Sequence, residues 1–238
     1  MFFSISSLWN TISSFARNLR VPEDRIMKAK QDFKKLHAQY RETQRRVREK
    51  YESKWDESLS IQKFFPWWAN LLCFFELELS GFRHAALREL RSYLEDCMRS
   101  YYIDSRYPEK SYEDKTNILR LFKPKKTEKD TELLKTILGK KREREISMRI
   151  TFKELLQGMP RKKRNELEKL YSDLCEYVHL SESAQTDALG DFGLNLALNL
   201  PCYEEDLEML EKTFEYCCYL LLESLEEKEF ATRARFSQ

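Results

Sequence analysis

The sequence predicts an all-α fold, an up-and-down helix bundle with a long N-terminal helix and a basic helical insertion. Three observations carry this. Apolar residues recur at steps of three and four along most of the chain, the period of an amphipathic helix. Only five glycines and six prolines occur in 238 residues, too few for the many tight turns of a β-rich fold. Hydrophobic residues make up 42% and charged residues 34%, a balance that lets a chain of this length bury a core beneath a solvated surface.

The elements follow in order. The stretch MFFSISSLWNTISSF places Phe2, Phe3, Ile5, Leu8, Trp9, Ile12 and Phe15 in one apolar segment. It lacks a leading basic residue and an evident cleavage site, so it makes a poor signal peptide, and it is shorter than the roughly 20 apolar residues that span a bilayer. It reads as a terminal helix packed on the body or on a partner chain. The alternative is a membrane-surface anchor over residues 1–20, since Arg17 and Arg20 follow. Pro22 suits a first helical turn. From there to Leu59 the residues Ile26, Ala29, Phe33, Leu36, Tyr40, Val47 and Trp55, with Thr43 in one slot, approximate a heptad stripe and predict one long basic helix.

Residues 61–79 are the most apolar region, apolar on nearly all sides, which predicts a helix buried in a bundle, begun or kinked by Pro66. Glu76 and Glu78 speak against a membrane span. After Ser80-Gly81 a central helix runs over 82–104, with Leu87, Leu90, Leu94, Cys97 and Tyr101 as its stripe. Arg91 and Glu95 stand one turn apart beside it, close enough to pair. Three shorter helices over 111–122, 130–138 and 145–157 form the basic insertion. A helix from 160 to about His179 carries Leu167, Leu170, Leu174 and Val178, and the last runs from Tyr203 to Lys228. Between them, Gly190-Asp191-Phe192-Gly193 reads as a turn, and the alternating Leu194, Leu196, Leu198 and Leu200 as a helical or extended connector rather than a lone strand. The organisation read from this is residues 1–60, a bundle of 61–109 with 160–230, and an insertion of 110–159.

Charge is distributed unevenly. Eleven Lys/Arg stand against four Asp/Glu between Arg25 and Lys54, and sixteen against six between Arg120 and Arg164. From Cys202 to Glu229 the balance is two against ten. Two basic segments and an acidic end imply either internal complementarity or an anionic partner. Four of the six cysteines lie on apolar helical patterns, where free cysteine acts as a small hydrophobe, and no CxxC occurs. With three scattered histidines this predicts no metal site and no cofactor, and a reducing, cytoplasmic setting.

Neither a nucleophile elbow, a P-loop, a Rossmann fingerprint nor HExxH is present. Any catalysis must come from residues gathered by bundle packing, with Arg91, Glu95 and His179 as candidates and Tyr171 and Arg88 as helpers. The same residues have structural explanations: His179 can cap its helix, and Arg91 with Glu95 can be an ordinary pair. For RNA or phosphate the candidates are Arg161, Lys162, Lys163 and Arg164 at a helix start, and Lys140, Lys141 and Arg142 in a linker. Four cations in a first turn oppose the helix dipole, so they either splay into water or hold an anion there.

The stretches LRELRSYLEDCMRSYYIDSRYP and LYSDLCEYVHLSES resemble bacterial and archaeal proteins of the broad HEPN superfamily, mainly over 65–107 and 166–227. The resemblance implies an up-and-down α-bundle, often dimeric, serving in toxin–antitoxin, abortive-infection and antiviral systems. Many such members are metal-independent RNases in which an arginine precedes a histidine by four to six intervening residues. This chain departs from that pattern. The corresponding windows are Ser172, Asp173 and Leu174 before His179, Leu77, Glu78 and Leu79 before His84, and Lys30, Gln31 and Asp32 before His37. The expectations are therefore a HEPN-like protein of a defence or stress system, acting through oligomerisation (a homodimer or a partner protein) and binding of RNA or a nucleotide; a metal-independent endoribonuclease using His179 for proton transfer and Arg91 for charge stabilisation; or a non-catalytic adaptor whose stripes recruit partner helices or a membrane.

Overall fold

A computed structural model describes residues 5–19, 21–122, 127–139, 152–156, 158–177 and 203–225. Among the described residues the fold is all-α, without a strand. The helices are α1 (Ile5–Asn18), α2 (Glu23–Tyr51), α3 (Leu59–Phe64), α4 (Trp67–Leu79), α5 (Arg83–Arg106), α6 (Tyr112–Arg120), α7 (Glu128–Leu138), α8 (Phe152–Leu155), α9 (Arg161–Glu176) and α10 (Tyr203–Ser224). No helix among the described residues is long and apolar enough to cross a membrane. The Asp-Phe-Gly turn, the leucine alternation at 194–200 and most of the helix expected over 145–157 lie outside the described residues.

The long N-terminal helix is shorter than its stripe suggests. It ends at Tyr51, and a 3-10 turn (Glu52–Lys54) follows. The reason lies in the next element. Ser58 is extended and accepts a hydrogen bond from the Ile61 amide, so it caps α3 and the chain must leave helical geometry before it. Trp55 therefore falls in the turn, its ring centroid 4.1 Å from that of Phe65. The rest of the stripe, Ile26, Ala29, Phe33, Leu36, Tyr40 and Val47, is buried along α2. Pro66 separates α3 from α4, because proline supplies no amide to continue the ladder.

The chain divides into two compact units. Unit 1 comprises Met1–Val47, Pro66–Leu94 and Lys169–Glu215. Its core is aromatic. Trp9 stacks on Phe33 with ring centroids 5.2 Å apart, and Phe75 meets both rings edge-on. Trp67 is fully buried, 4.6 Å from Tyr93 and stacked at 5.5 Å on Phe214. Such offset and edge pairs add to the stabilisation from area burial alone. The acidic helix α10 faces the basic helix α2 in this unit. Lys28 pairs with Glu204, Lys35 bonds Glu211 at 2.9 Å, and the Tyr203 hydroxyl donates to Asp32 at 3.0 Å. Internal complementarity thus accounts for part of the charge asymmetry.

Unit 2 comprises Arg48–Phe65, Glu95–Glu168 and Tyr216–Gln238. Leu59, Ile103, Tyr107, Ile118, Leu121, Leu134, Ile137 and Leu138 form one buried cluster, so α6 and α7 share a core with α3 and the second half of α5. Thr127 and Asp130 form a capping box that starts α7, and Gly139 at φ 76° ends it. In the same unit the buried Asp104 accepts hydrogen bonds from the Ser58 hydroxyl and from the Leu59 and Ser60 amides, and pairs with the buried Lys115 at 3.2 Å.

Candidate functional site

Arg91 lies on α5 within unit 1, where its Nη2 donates to the Tyr171 hydroxyl at 3.1 Å. The guanidinium carbon stands 5.3 Å from the centroid of the same ring. One tyrosine of α9 thus fixes Arg91 by a hydrogen bond and a cation–π contact together. Arg88, expected as a helper, is exposed. Glu95 belongs to unit 2 and accepts a bond from Arg99 one turn further along α5. His179 lies outside the described residues, as do Lys140, Lys141 and Arg142.

The four cations that open α9 behave differently from one another. Arg161 and Lys162 are exposed. Lys163 is 3.5 Å from Glu166 and sits over the rings of Tyr216 and Tyr219, 5.3 and 6.0 Å from their centroids. Arg164 is half-buried. The Tyr216 hydroxyl donates to Glu166 at 2.7 Å, and that bond, more than the neighbouring lysines, holds the Glu166 carboxyl below the usual carboxylate range. Two of the four cations therefore reach water, and at least one is held by the protein's own groups.

The most developed polar cluster in unit 1 is one that periodicity alone does not single out. Arg83, at the start of α5, donates through Nε and Nη2 to the two oxygens of Asp206 at 2.7 and 2.9 Å. Asp206 is 0% exposed. The Arg83 guanidinium also bonds the Tyr177 hydroxyl at 3.1 Å and lies 4.7 Å from that ring's centroid. Such a two-point arginine–carboxylate pair is strong and orientation-specific. His84 packs against the same tyrosine, its ring centroid 5.8 Å from that of Tyr177.

Glu78, on the buried side of α4, completes the group. Its Oε2 is 3.9 Å from Arg25 Nη2, too far for a hydrogen bond, and its Oε1 has no hydrogen-bond donor. Burial, and next the Asp206 carboxylate beside it, push the Glu78 carboxyl well above the usual carboxylate range, against the opposing pull of Arg25 and Arg83. Burial likewise raises the Tyr203 hydroxyl, with Asp32 adding to the effect, and raises that of Tyr177.

The signal for this cluster was present in the sequence. Glu78 continues the spacing of Leu71 and Phe74–Phe75, and Asp206 stands four residues before Leu210. A charged residue on an apolar stripe requires a buried partner. Which partner is a matter of tertiary structure, since Arg83 and Asp206 are 123 positions apart. The group holds charged side chains away from water. Among the described residues no group of three or more His, Cys, Asp or Glu is placed to hold a metal ion. Comparison with family models, with curated proteins and with solved structures finds no match to this chain.

Proposed function

We propose that this chain is a HEPN-like helical protein of a prokaryotic defence or stress system, and that its α5–α9 face in unit 1 binds a phosphate-bearing ligand, RNA or a nucleotide. The observation that supports the reading is the Arg91–Tyr171 contact at 3.1 Å. It brings Arg91 of the first stretch that carries the resemblance against Tyr171 of the second within unit 1, and the second leads on in sequence to His179. A guanidinium positioned by an aromatic ring and its hydroxyl is suited to a phosphate, which a guanidinium can meet through two parallel bonds. In this reading the protein works in the cytoplasm, where Cys73, Cys97, Cys175, Cys217 and Cys218 remain free thiols.

The test is binding of fluorescently labelled RNA and of ATP over a range of salt concentrations. The expected result is affinity that falls steeply with salt and that Arg91→Ala weakens about tenfold or more with the helical circular dichroism unchanged. Absence of binding at low salt, or binding indifferent to Arg91→Ala, overturns the reading. Incubation of mixed RNA with EDTA adds the enzymatic arm, in which cleavage that His179→Ala abolishes makes the protein a metal-independent RNase.

A second reading, a non-catalytic adaptor, has its own support. Lys28 and Lys35 are matched by Glu204 and Glu211, which reduces the charge left for an anionic partner. Phe15, Trp68 and Phe82 are exposed large apolar side chains of unit 1. Self-association that is lost with Phe15→Ser or Trp68→Ser, without RNA binding by the wild type, selects the adaptor.

A further inference from the structure

Helix α2 carries charge on both flanks of its buried face, and the two flanks differ in what meets them. Ile26, Ala29, Phe33, Leu36, Tyr40 and Val47 form the buried face. Lys28, Asp32 and Lys35 border it on one side, where Glu204, Tyr203 and Glu211 of α10 pair with them. Lys30, Lys34, Arg41 and Arg45 border it on the other side, within about 60° of one another at 3.6 residues per turn. Lys34, Arg41 and Arg45 are exposed and Lys30 is half-buried. The neighbour of this second flank is α1. Its Arg17 bonds both oxygens of Glu23, which stands in line with Lys30 and Arg41, at 2.9 and 2.7 Å. Residues 1–22 contain no Asp or Glu, so α1 brings no acid to the row and neutralises the one at its start.

From Phe33 to Val47 five Lys/Arg stand against one acid, Glu42, which Arg45 and Arg46 share at 2.9 and 2.6 Å. Among the described residues Lys34 and Arg41 form no ion pair. We propose that this flank of α2 is a docking surface for a single nucleic-acid strand, held by its phosphates. From Lys30 to Arg45 the row is about 22 Å long at 1.5 Å per residue. It exceeds what one phosphate or one nucleotide can engage, so the partner that fits it is a chain of phosphates. A bilayer surface is held by apolar side chains inserted beside the cations. Between Lys30 and Arg45 no large apolar side chain is exposed among the described residues, which favours the strand. Phosphate contacts carry no base information, so strands of different sequence, RNA and DNA alike, bind this surface. The inference goes beyond the ligand proposed above and rests on neither Arg91 nor Tyr171.

The experiment follows the fluorescence anisotropy of labelled oligo(U) and oligo(dT) with the full chain over a range of salt concentrations. It compares wild type, Lys34→Gln/Arg41→Gln, Lys28→Gln/Lys35→Gln and Arg91→Ala. The two double variants remove equal charge from opposite flanks of α2. Wild type should bind both oligonucleotides, with affinity falling as salt rises. Lys34→Gln/Arg41→Gln should weaken binding about tenfold or more at low salt and lower the log–log salt slope by about 1.4, while Lys28→Gln/Lys35→Gln stays within about twofold of wild type. Helical circular dichroism should be unchanged throughout. Equal effects of the two double variants, or an unchanged slope in Lys34→Gln/Arg41→Gln, overturn the proposal. If Arg91→Ala alone weakens binding, the ligand proposed above survives and the α2 surface does not. A marked preference for oligo(U) over oligo(dT) also overturns it, because the ribose is then being read. Absence of oligonucleotide binding, with pelleting on phosphatidylserine vesicles instead, overturns it in favour of a bilayer.

Discussion

Replacing Asp104 by alanine tests how unit 2 is held together. Four groups converge on this carboxylate. Its Oδ2 accepts from the Ser58 hydroxyl at 2.9 Å and the Ser60 amide at 2.8 Å, and its Oδ1 accepts from the Leu59 amide at 3.2 Å. Lys115 Nζ stands 3.2 Å from Oδ1, with each side chain 5% exposed. Asp104→Ala leaves two amides at the start of α3 without their acceptor and a buried ammonium whose remaining bond is to the Glu57 carbonyl at 2.8 Å. Orphaned buried donors cost about 1–3 kcal/mol each, and breaking a buried ion pair costs about 3–5 kcal/mol. These losses overlap, because the same relaxation and water entry serve all the orphaned groups, so the expected total is about 4 kcal/mol. That is a large part of the roughly 5–15 kcal/mol that stabilises an ordinary domain.

The assay is urea unfolding followed by far-ultraviolet circular dichroism for wild type, Asp104→Ala, Lys115→Met and the double variant. Lys115→Met alone should cost less than Asp104→Ala, because Asp104 keeps its three other donors while the lost cation is replaced by apolar volume. The double-mutant cycle should show coupling of about 1 kcal/mol or more. A loss below about 1 kcal/mol for Asp104→Ala, or strict additivity in the cycle, would show that water or rearrangement replaces the carboxylate at no cost, and the assignment of Asp104 as the organising group of unit 2 would fail.

Two further outcomes are expected. Trp67 is fully buried and its indole N–H has no hydrogen-bond partner, so its contribution is one of volume and ring contact. Trp67→Phe should cost under about 2 kcal/mol and Trp67→Ala about 3–5 kcal/mol by the same denaturation, and equal losses would contradict this. In α7, Thr127→Ala removes one half of the capping box and should cost about 1 kcal/mol, seen as earlier hydrogen exchange of the Asp130 and Thr131 amides; unchanged exchange there would show that the box contributes nothing.

Much of the architecture was legible in the chain. The stripe of α2 from Ile26 to Val47 and that of α5 from Leu87 to Tyr101 are buried as their spacing implies, because a helix of period 3.6 exposes or hides whole faces together. The end of α2 was not legible. The heptad pattern runs on through Trp55, and the break follows from Ser58 and from Asp104, a residue 46 positions away. The place of Arg91 beside a stripe marks it as a candidate, whereas the sequence marks its partner Tyr171 only as a helper. The cluster of Glu78, Arg83 and Asp206 is only half legible: the spacing marks Glu78 as inward-facing, whereas Arg83 and Asp206 each have an ordinary explanation as helix-end charges.

The sequence by itself determined which segments are helical and which face of each turns inward, since both depend on neighbours three or four positions away. Only the tertiary structure decided which buried charges meet. Placing a carboxyl out of water is unfavourable until a particular guanidinium or proton arrives to compensate it, and that partner, 123 positions distant for Arg83 and Asp206, is selected by how the helices pack and leaves no mark on the local pattern.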